Sequence, residues 1–221
     1  MVTSTVENYL KEIFLYTHSQ STDKMPMGEV AIALQVTPGT ATTMIKSLED
    51  ACFVSYTPRV GVRLTESGVL QATRVVRRHR LIEYFLVETL GMDWSEVHTE
   101  AEVLEHSISD RVLDRIDEHL NFPKRDPHGD PIPRKDGSIS IDNIITLDET
   151  QEAVFYQIVR ITDQSSKFLN FISQSKLTPN TLIEVQSIDR AGDTISLIIN
   201  ENEPITLGIS AANKILVQAP F

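Results

Sequence analysis

The hydrophobic positions in the first third of the chain follow a helical period and then change to alternation. A first amphipathic helix is predicted by positions at helical spacing: Val6, Leu10, Ile13, Phe14 and Thr17. A short helix is predicted over residues 27–34 and another from Pro38 to about Asp50, with Thr37 as a hydroxyl cap before the proline. Residues 53–56 and 62–64 alternate like the strands of a hairpin. Three helices followed by a hairpin predict a winged helix-turn-helix domain over residues 1–73.

The polar positions of this segment suit contact with DNA. The third helix carries small hydroxyl groups away from its apolar face, which suits insertion into the major groove, and the hairpin carries arginines that suit the phosphate backbone or minor groove. The alternative is a small helical domain that packs against protein, but the order of elements and the basic hairpin favour DNA. The predicted DNA-binding residues are Thr37, Pro38, Thr40, Thr42, Thr43, Lys46, Arg59 and Arg63.

Helical periodicity continues through the middle of the chain, from Glu66 to about Leu90 and again to about Leu120. Residues 99–120 are predicted to form one helix that is apolar on two sides, so it is either deeply buried or packed against a second copy. We favour a homodimer. The prolines and charges of residues 121–140 predict an irregular linking loop, which completes a helical domain over residues 74–140.

Two carboxylates and an imidazole fall on one arc of this predicted helix. At 100° per residue Glu102, Glu105 and His106 span roughly 100°, on the side that continues into apolar residues. Buried carboxylates need a positive partner, and a divalent cation would supply one. A second set, His79 and Glu83, lies one helical turn apart. The alternatives are a solvated acidic face with an isolated histidine and an ordinary exposed pair. Metal binding is favoured because several such residues lie close together in the sequence.

From about Gln151 the pattern changes to short β-like runs. These runs cover residues 154–161, 182–188, 194–199 and 214–218, with a turn at 189–192. Several short strands in this length predict a small SH3-like barrel over residues 141–221. Asp163 opens a polar loop and could donate a carboxylate. The predicted fold class is therefore mainly α with a β-barrel appendage.

Charge is distributed unevenly along the chain, whose net charge is −11. Residues 1–80 carry nine Lys/Arg and seven Asp/Glu, a net +2, whereas residues 81–221 carry eleven and twenty-four, a net −13. A polyanion partner should therefore meet the first third. The single cysteine, Cys52, excludes an intramolecular disulfide framework and a thiolate-cluster zinc site, and we expect it to be buried. With no membrane-spanning apolar run and no signal segment, a cytoplasmic protein is expected.

The chain resembles the diphtheria toxin repressor family over its whole length, and is most similar to the manganese-responsive branch with a carboxy-terminal SH3-like (FeoA-like) domain. Beyond the winged helix, the specific matches are residues 78–83 (RHRLIE), 100–106 (EAEVLEH) with Ser109 and Asp110, and Pro127-His128-Gly129. The resemblance implies a homodimeric repressor that binds palindromic operators when loaded with Mn²⁺ or Fe²⁺ and controls metal-homeostasis genes.

The resemblance also implies two metal sites. One would comprise Asn8, Glu102, Glu105 and His106. The second would draw on His79, Glu83, Asp126, His128 and Asp163, with His98 as a further candidate. Iron-responsive relatives tend to have cysteine at the position of Glu102, so an oxygen ligand there favours Mn²⁺ over Fe²⁺, with Zn²⁺ possible in vitro. The chain departs from the family pattern at Asn8, which is commonly Asp in manganese-type members, and at Asp126, which is Cys in streptococcal-type relatives.

The expected mechanism is that metal joins the first helix, through Asn8, to the dimerisation helices. Without metal the carboxylates would repel one another and the winged helix would be loosely positioned. Two rival functions use the same residues. One is a constitutive DNA-binding protein with a structural metal site, and the other is a metal-dependent hydrolase. The hydrolase would need an open coordination site in a substrate cleft, and the sequence offers no positioned nucleophile or oxyanion donor.

Overall fold

The computed structural model of the chain describes residues 3–140, 143–199 and 203–219. The described residues form two compact units. The first unit draws on Met1–His79, Leu104–Leu113 and Pro133–Ile139, and the second on Arg80–Val103, Asp114–Ile132 and Ser140–Phe221. The three-domain division expected from the sequence stays a prediction. None of the described helices is long and apolar enough to cross a membrane.

The first unit contains the predicted winged helix-turn-helix. Its elements are the helices α1 (Ser4–Ser19), α2 (Met27–Ala33) and α3 (Pro38–Asp50), followed by the antiparallel strands β1 (Val54–Thr57) and β2 (Gly61–Leu64). Thr3 caps α1, and Thr37 caps α3 by accepting a hydrogen bond from the backbone N–H of Thr40. The apolar faces of the three helices meet the hairpin in one core that includes Leu10, Ile45 and Val62. The predicted elements of this domain are confirmed.

The turn within this hairpin and the connection that precedes it need unusual backbone conformations. Gly61 has φ +141°, and a Cβ there would lie 2.6 Å from the carbonyl oxygen of Met25, so no larger side chain fits. Cys52, just after α3, has φ +61° and is exposed. The prediction that Cys52 is buried was wrong, because its position ends the helix in the left-handed conformation instead of facing the core.

The middle of the chain forms three helices, α4 (Glu66–Glu88), α5 (Val97–Leu104) and α6 (Asp110–His119). Helix α4 contributes residues to both units. The prediction of a single helix over residues 99–120 was wrong, because the chain turns between α5 and α6. Ser109 begins α6 by accepting a hydrogen bond from the backbone N–H of Val112 (3.4 Å), which provides a new helix start. As a result Glu105 and His106 lie in the turn after α5 and not on its helical face.

The carboxy-terminal part of the second unit is the predicted small β domain. Its six strands pair antiparallel in the order β3-β8-β4-β5-β6-β7. They are β3 (Ile145–Thr146), β4 (Val154–Ile161), β5 (Leu182–Asp189), β6 (Thr194–Ile199), β7 (Glu203–Gly208) and β8 (Ile215–Gln218), with helices α7 (Ser166–Gln174) and α8 (Ile209–Ala212) between them. The sequence predicted four of these strands. It missed β3, which has two residues, and β7, whose Pro204 is compatible with its position at the edge of the sheet.

The proline-rich segment is irregular, as predicted, but it is well packed. Asp126, His128 and Asp130 are all buried. Gly129 has φ +91°, and a Cβ there would lie 1.9 Å from the carbonyl oxygen of Val159 in β4. The backbone N–H of Ile161 also donates to the carbonyl of His128 (2.8 Å). Within the second unit, therefore, this segment is held directly against the β sheet.

Candidate metal centres and DNA interface

Glu105 is the most deeply buried acid of the first unit, with no exposed surface. Its Oε1 accepts from Nζ of Lys11 at 2.7 Å, and its Oε2 accepts from Nδ1 of His79 at 2.6 Å. Burial acts to raise the pKa of Glu105, but the hydrogen bond from His79 and the charge of Lys11 outweigh it and hold the pKa below its usual value. Glu105 is therefore an ionised, buried carboxylate whose charge is balanced by Lys11.

His106 lies beside this carboxylate in a fixed orientation. Its Nδ1 donates to Oε2 of Glu7 at 2.6 Å, and Glu7 is held in turn by the guanidinium of Arg78 at 2.5 Å. In the neutral ring the lone pair is then on Nε2, which is buried, has no hydrogen-bond partner among the described residues and lies 3.2 Å from Oε1 of Glu105. A carboxylate that orients a histidine in this way is typical of metal sites.

Asn8 contributes another unsatisfied atom to the first unit, because its buried Oδ1 also has no hydrogen-bond partner in the part of the chain that the structure describes. Buried polar atoms of this kind need an explanation, and a bound ion is one. Asn8, Glu105 and His106 offer oxygen and nitrogen atoms of the kind that divalent cations bind, and their ligation of one ion stays a prediction. Glu102, the fourth residue expected here, falls in the second unit, where its Oε1 lies 3.7 Å from Nε2 of His98.

Three other predicted ligands come together within the second unit. Glu83, Asp126 and His128 are all buried, and one ligand atom from each lies within 4.8 Å of the other two. The Nε2 of His128 donates to the carbonyl of Trp94 at 2.8 Å, so the lone pair of the neutral ring is on Nδ1. Both Nδ1 of His128 and Oδ2 of Asp126 are buried, and neither has a hydrogen-bond partner within residues 3–140, 143–199 and 203–219. These atoms also fit a divalent cation.

The pKa of Asp126 is strongly shifted by the groups around it. Burial, followed by the charges of Asp130 and Glu83, raises the pKa of Asp126 well above its usual value, and Arg80 offsets this only in part. The Nε of Arg80 lies 3.6 Å from Oδ2 of Asp126, whereas Asp130 pairs with both Arg80 and Arg160. Three carboxyl groups, those of Glu83, Asp126 and Asp130, are therefore buried close together, and a raised pKa in such a cluster is typical of a functional site such as one for a cation.

The remaining predicted ligands have other partners. His98, half-exposed, contacts Glu83 through Nδ1 at 3.2 Å and so lies beside the second cluster. His79 falls in the first unit, where it contacts Glu105. Asp163 is not in the three-residue group; its carboxylate accepts from Nζ of Lys214 at 2.8 Å. A ligand role for Asp163 would require this ion pair to break.

Two important residues could not be identified as such from the sequence. Glu7 and Lys11 lie one turn apart on α1, a spacing that also describes an ordinary surface pair. The structure instead places Lys11 in a buried contact with Glu105 and uses Glu7 to orient His106. The only available signal was that both lie on the same helix as Asn8.

The predicted DNA-contacting residues lie on the exposed side of the winged helix. Thr37, Pro38, Thr40, Thr43 and Lys46 are exposed, and Thr42 is half-buried. The hydroxyls of Thr42 and Thr43 donate to carbonyls one turn earlier in α3, which fixes their direction. Arg59 and Arg63 are exposed on the hairpin. Their contact with DNA stays a prediction.

Comparisons with known proteins identify the family. Residues 1–62 match the family model "Iron dependent repressor, N-terminal DNA binding domain" and residues 65–134 match "Iron dependent repressor, metal binding and dimerisation domain". The iron-dependent repressor IdeR of Mycobacterium tuberculosis is 31% identical over 71% of this chain and 73% of its own length. The chain belongs to the iron-dependent repressor family. Residues 145–219 of this family member match the model of the FeoA domain, as the resemblance to the diphtheria toxin repressor family implied.

Solved structures extend the similarity of this repressor-family chain to nearly its full length. A manganese-dependent transcriptional repressor in complex with manganese is 36% identical, with a TM-score of 0.87, and the match covers 97% of this chain and 100% of that one. The structure of ScaR with bound Zn²⁺ is 32% identical, with a TM-score of 0.77, over 97% and 99% of the two chains. The winged helix, the helical region and the β domain therefore occur together in its relatives.

Proposed function

We propose that this protein is a homodimeric transcriptional repressor that binds palindromic operator DNA when loaded with Mn²⁺, or alternatively Fe²⁺, and thereby controls metal-homeostasis genes in the cytoplasm. Its membership of the iron-dependent repressor family supports metal-dependent repression of transcription as the general function. The observation that carries the metal dependence is that the residues proposed for both centres have buried ligand atoms without a hydrogen-bond partner in the described structure: Asn8 Oδ1, His106 Nε2, Asp126 Oδ2 and His128 Nδ1.

The first centre would couple metal to the position of the DNA-binding helices. Asn8 lies on α1, which packs in the core of the winged helix, whereas Glu105 and His106 lie in the turn between α5 and α6. A divalent cation supplies positive charge that can hold these ligands together. Glu7 orients His106 for this role, and Arg78 holds Glu7. Ligation by Glu102 stays a prediction from the resemblance.

The second centre would use Glu83, Asp126 and His128, with His98 beside it. All three buried residues offer oxygen or nitrogen, as do those of the first centre. Such ligands suit Mn²⁺ and Fe²⁺, whereas softer metals favour sulfur. Zn²⁺ also binds carboxylate and imidazole ligands, so we expect it to bind in vitro. The similarity to ScaR, whose structure holds Zn²⁺, agrees with this expectation.

Dimer formation has support from exposed apolar side chains in the region that matches the dimerisation domain. Leu104 is 41% exposed and Val112 is 50% exposed, and both lie within the first unit. Large apolar side chains exposed in one region indicate a surface that binds a partner. A two-fold dimer would present two recognition helices to a palindromic operator.

The direct test is fluorescence anisotropy of a candidate palindromic promoter fragment with metal-stripped protein at one salt concentration. The titration is repeated with Mn²⁺, Fe²⁺ under anaerobic conditions, Zn²⁺ and Mg²⁺. We expect tight binding with Mn²⁺ or Fe²⁺ and weak binding without metal. The variant His106→Ala should lose the metal response, whereas His119→Ala, which removes an exposed histidine of α6, should keep it.

The same experiment separates the rival functions. Equal operator binding with and without metal would contradict metal gating and favour a constitutive DNA-binding protein with a structural metal. Loss of DNA binding under every condition, together with metal-dependent hydrolysis of a test ester, would favour a hydrolase. We prefer the repressor because Glu105, Glu83, Asp126 and His128 are buried, which suits a metal held inside the protein more than one presented to a substrate.

A further inference from the structure

Trp94 is the only tryptophan of the chain and lies in the segment between α4 and α5. Its backbone carbonyl accepts from Nε2 of His128 at 2.8 Å, and its indole stacks on the His128 ring with 5.4 Å between centroids and 24° between planes. His128 has no exposed surface. One residue therefore controls both the tautomer and the ring plane of a candidate ligand.

The other side of Trp94 contacts the β domain. Its indole Nε1 donates to Oγ of Ser173 in α7 at 2.7 Å, and the ring packs against the core of that domain. The neighbouring residue makes a parallel contact, because the hydroxyl of Ser166, at the start of α7, donates to the carbonyl of Ser95 at 2.8 Å. Residues near both ends of α7 are thus hydrogen-bonded to the segment that carries Trp94.

This segment is held in one conformation by hydrogen bonds between its own residues. The carboxylate of Asp93 accepts from the backbone N–H of Ser95 at 2.8 Å and from its hydroxyl at 2.6 Å, which is the pattern of an Asx turn. Ser95 is buried. A rigid connection transmits a displacement of one end to the other, whereas a flexible loop would absorb it.

We propose that Trp94 is a positioning residue of the second metal centre and couples the occupancy of that centre to helix α7 of the FeoA-like domain. The inference rests on the proposed metal site of Glu83, Asp126 and His128. Metal bound at Nδ1 of His128 holds the orientation of the imidazole ring. The ring then holds the indole of Trp94 by stacking, and the indole holds Ser173 by its hydrogen bond. In the opposite direction, α7 supports the orientation of His128 and raises the affinity of the centre.

The first experiment counts Mn²⁺ sites in the full-length, metal-stripped protein by electron paramagnetic resonance of unbound Mn²⁺, with Trp94 fluorescence recorded in parallel. We expect two sites in the wild type, and a fluorescence change when one of them fills. His128→Ala should remove that site and the fluorescence change. If the wild type gives no fluorescence change and His128→Ala keeps both sites, the proposed second centre fails and the coupling falls with it.

The second experiment tests the coupling itself, with the centre intact. Loss of a supporting contact around a metal ligand typically lowers affinity about 10- to 100-fold. Trp94→Phe keeps an aromatic ring but removes the N–H, and should weaken the His128 site about tenfold and leave the other site unchanged. Ser173→Ala, a change at an exposed position that keeps the tryptophan, should weaken the same site. Ser175→Ala, at the end of the same helix, is the matched control.

Hydrogen exchange of α7 supplies a readout that depends on the connection and not on ligand geometry alone. Mn²⁺ should slow amide exchange over residues 166–174 in the wild type and in Ser175→Ala, and this effect should be lost in Ser173→Ala. If Ser173→Ala binds Mn²⁺ with wild-type affinity and shows the same protection of α7, while His128→Ala loses one site, the metal centre stands and the proposed coupling is overturned.

Discussion

Lys11→Met tests whether the ammonium group of Lys11 opposes metal binding at the first centre. Lys11 is 3% exposed, and its Nζ lies 2.7 Å from Oε1 of Glu105. The same oxygen is 3.2 Å from the unsatisfied Nε2 of His106. Methionine has a similar length and no charge. The substitution therefore removes the positive partner of Glu105 from the oxygen that faces His106.

The magnitude follows from the charge pair. Two unit charges 2.7 Å apart attract by about 6 kcal/mol at an effective dielectric constant of about 20, and the cost of desolvation offsets much of this. Removing one partner of a buried pair typically costs about 3–5 kcal/mol. Because His79 still donates to Glu105, we expect the lower end, about 3 kcal/mol. If about half of this energy is lost when Glu105 of the wild type binds metal, the variant avoids that loss. Its affinity for metal should therefore be roughly tenfold higher than that of the wild type.

The assay combines thermal unfolding with Mn²⁺ titration. Without metal, Lys11→Met should unfold at a lower temperature than the wild type; with saturating Mn²⁺ the difference should shrink, because bound metal stabilises the folded state. Operator binding should require less Mn²⁺ than in the wild type. Lys167→Met, which removes an exposed lysine of α7, is the control and should change neither property. Wild-type stability together with wild-type Mn²⁺ affinity in Lys11→Met would refute the reasoning.

Two further predictions concern the DNA interface and the second centre. Arg59→Ala should reduce the slope of log affinity against log salt by about 1, as expected for one lost phosphate contact, whereas Arg115→Ala on α6 should not; an unchanged slope would exclude Arg59 from the interface. The raised pKa of Asp126 means that its protonated form stabilises the folded state below the unfolded pKa, and that this stability is lost as pH rises through the folded pKa. Metal-free Asp126→Asn should therefore melt at a higher temperature than the wild type at about pH 8, with the difference shrinking toward about pH 4; an equal or lower melting temperature at pH 8 would contradict this cause.

The sequence predicted the metal candidates through residue type and spacing, with uneven success. Glu83 was named from its spacing to His79, and its grouping with Asp126 and His128 came from the resemblance; the structure brings these three together. Glu105 was correctly predicted to be buried, but the reason was wrong, because it lies in a turn and not on one helical face with Glu102. The apolar period of residues 99–120 continued across the turn, so periodicity alone gave no sign that the helix ends.

The sequence by itself determined most of the secondary structure of this protein and the faces that its helices and strands bury. The period of apolar residues, the Thr37-Pro38 helix start and the alternating β runs determine which segments are helices or strands and which of their faces are buried. These are interactions between residues close in the chain, so the sequence displays them directly.

Only the tertiary structure decided which polar partners meet. Lys11 and Glu105 are separated by 94 residues, Glu7 and His106 by 99, and Trp94 and His128 by 34. A hydrophobic period shows that a face is buried, but it does not show what covers that face. Hydrogen bonds and ion pairs also require particular distances and directions, and these depend on how distant segments pack.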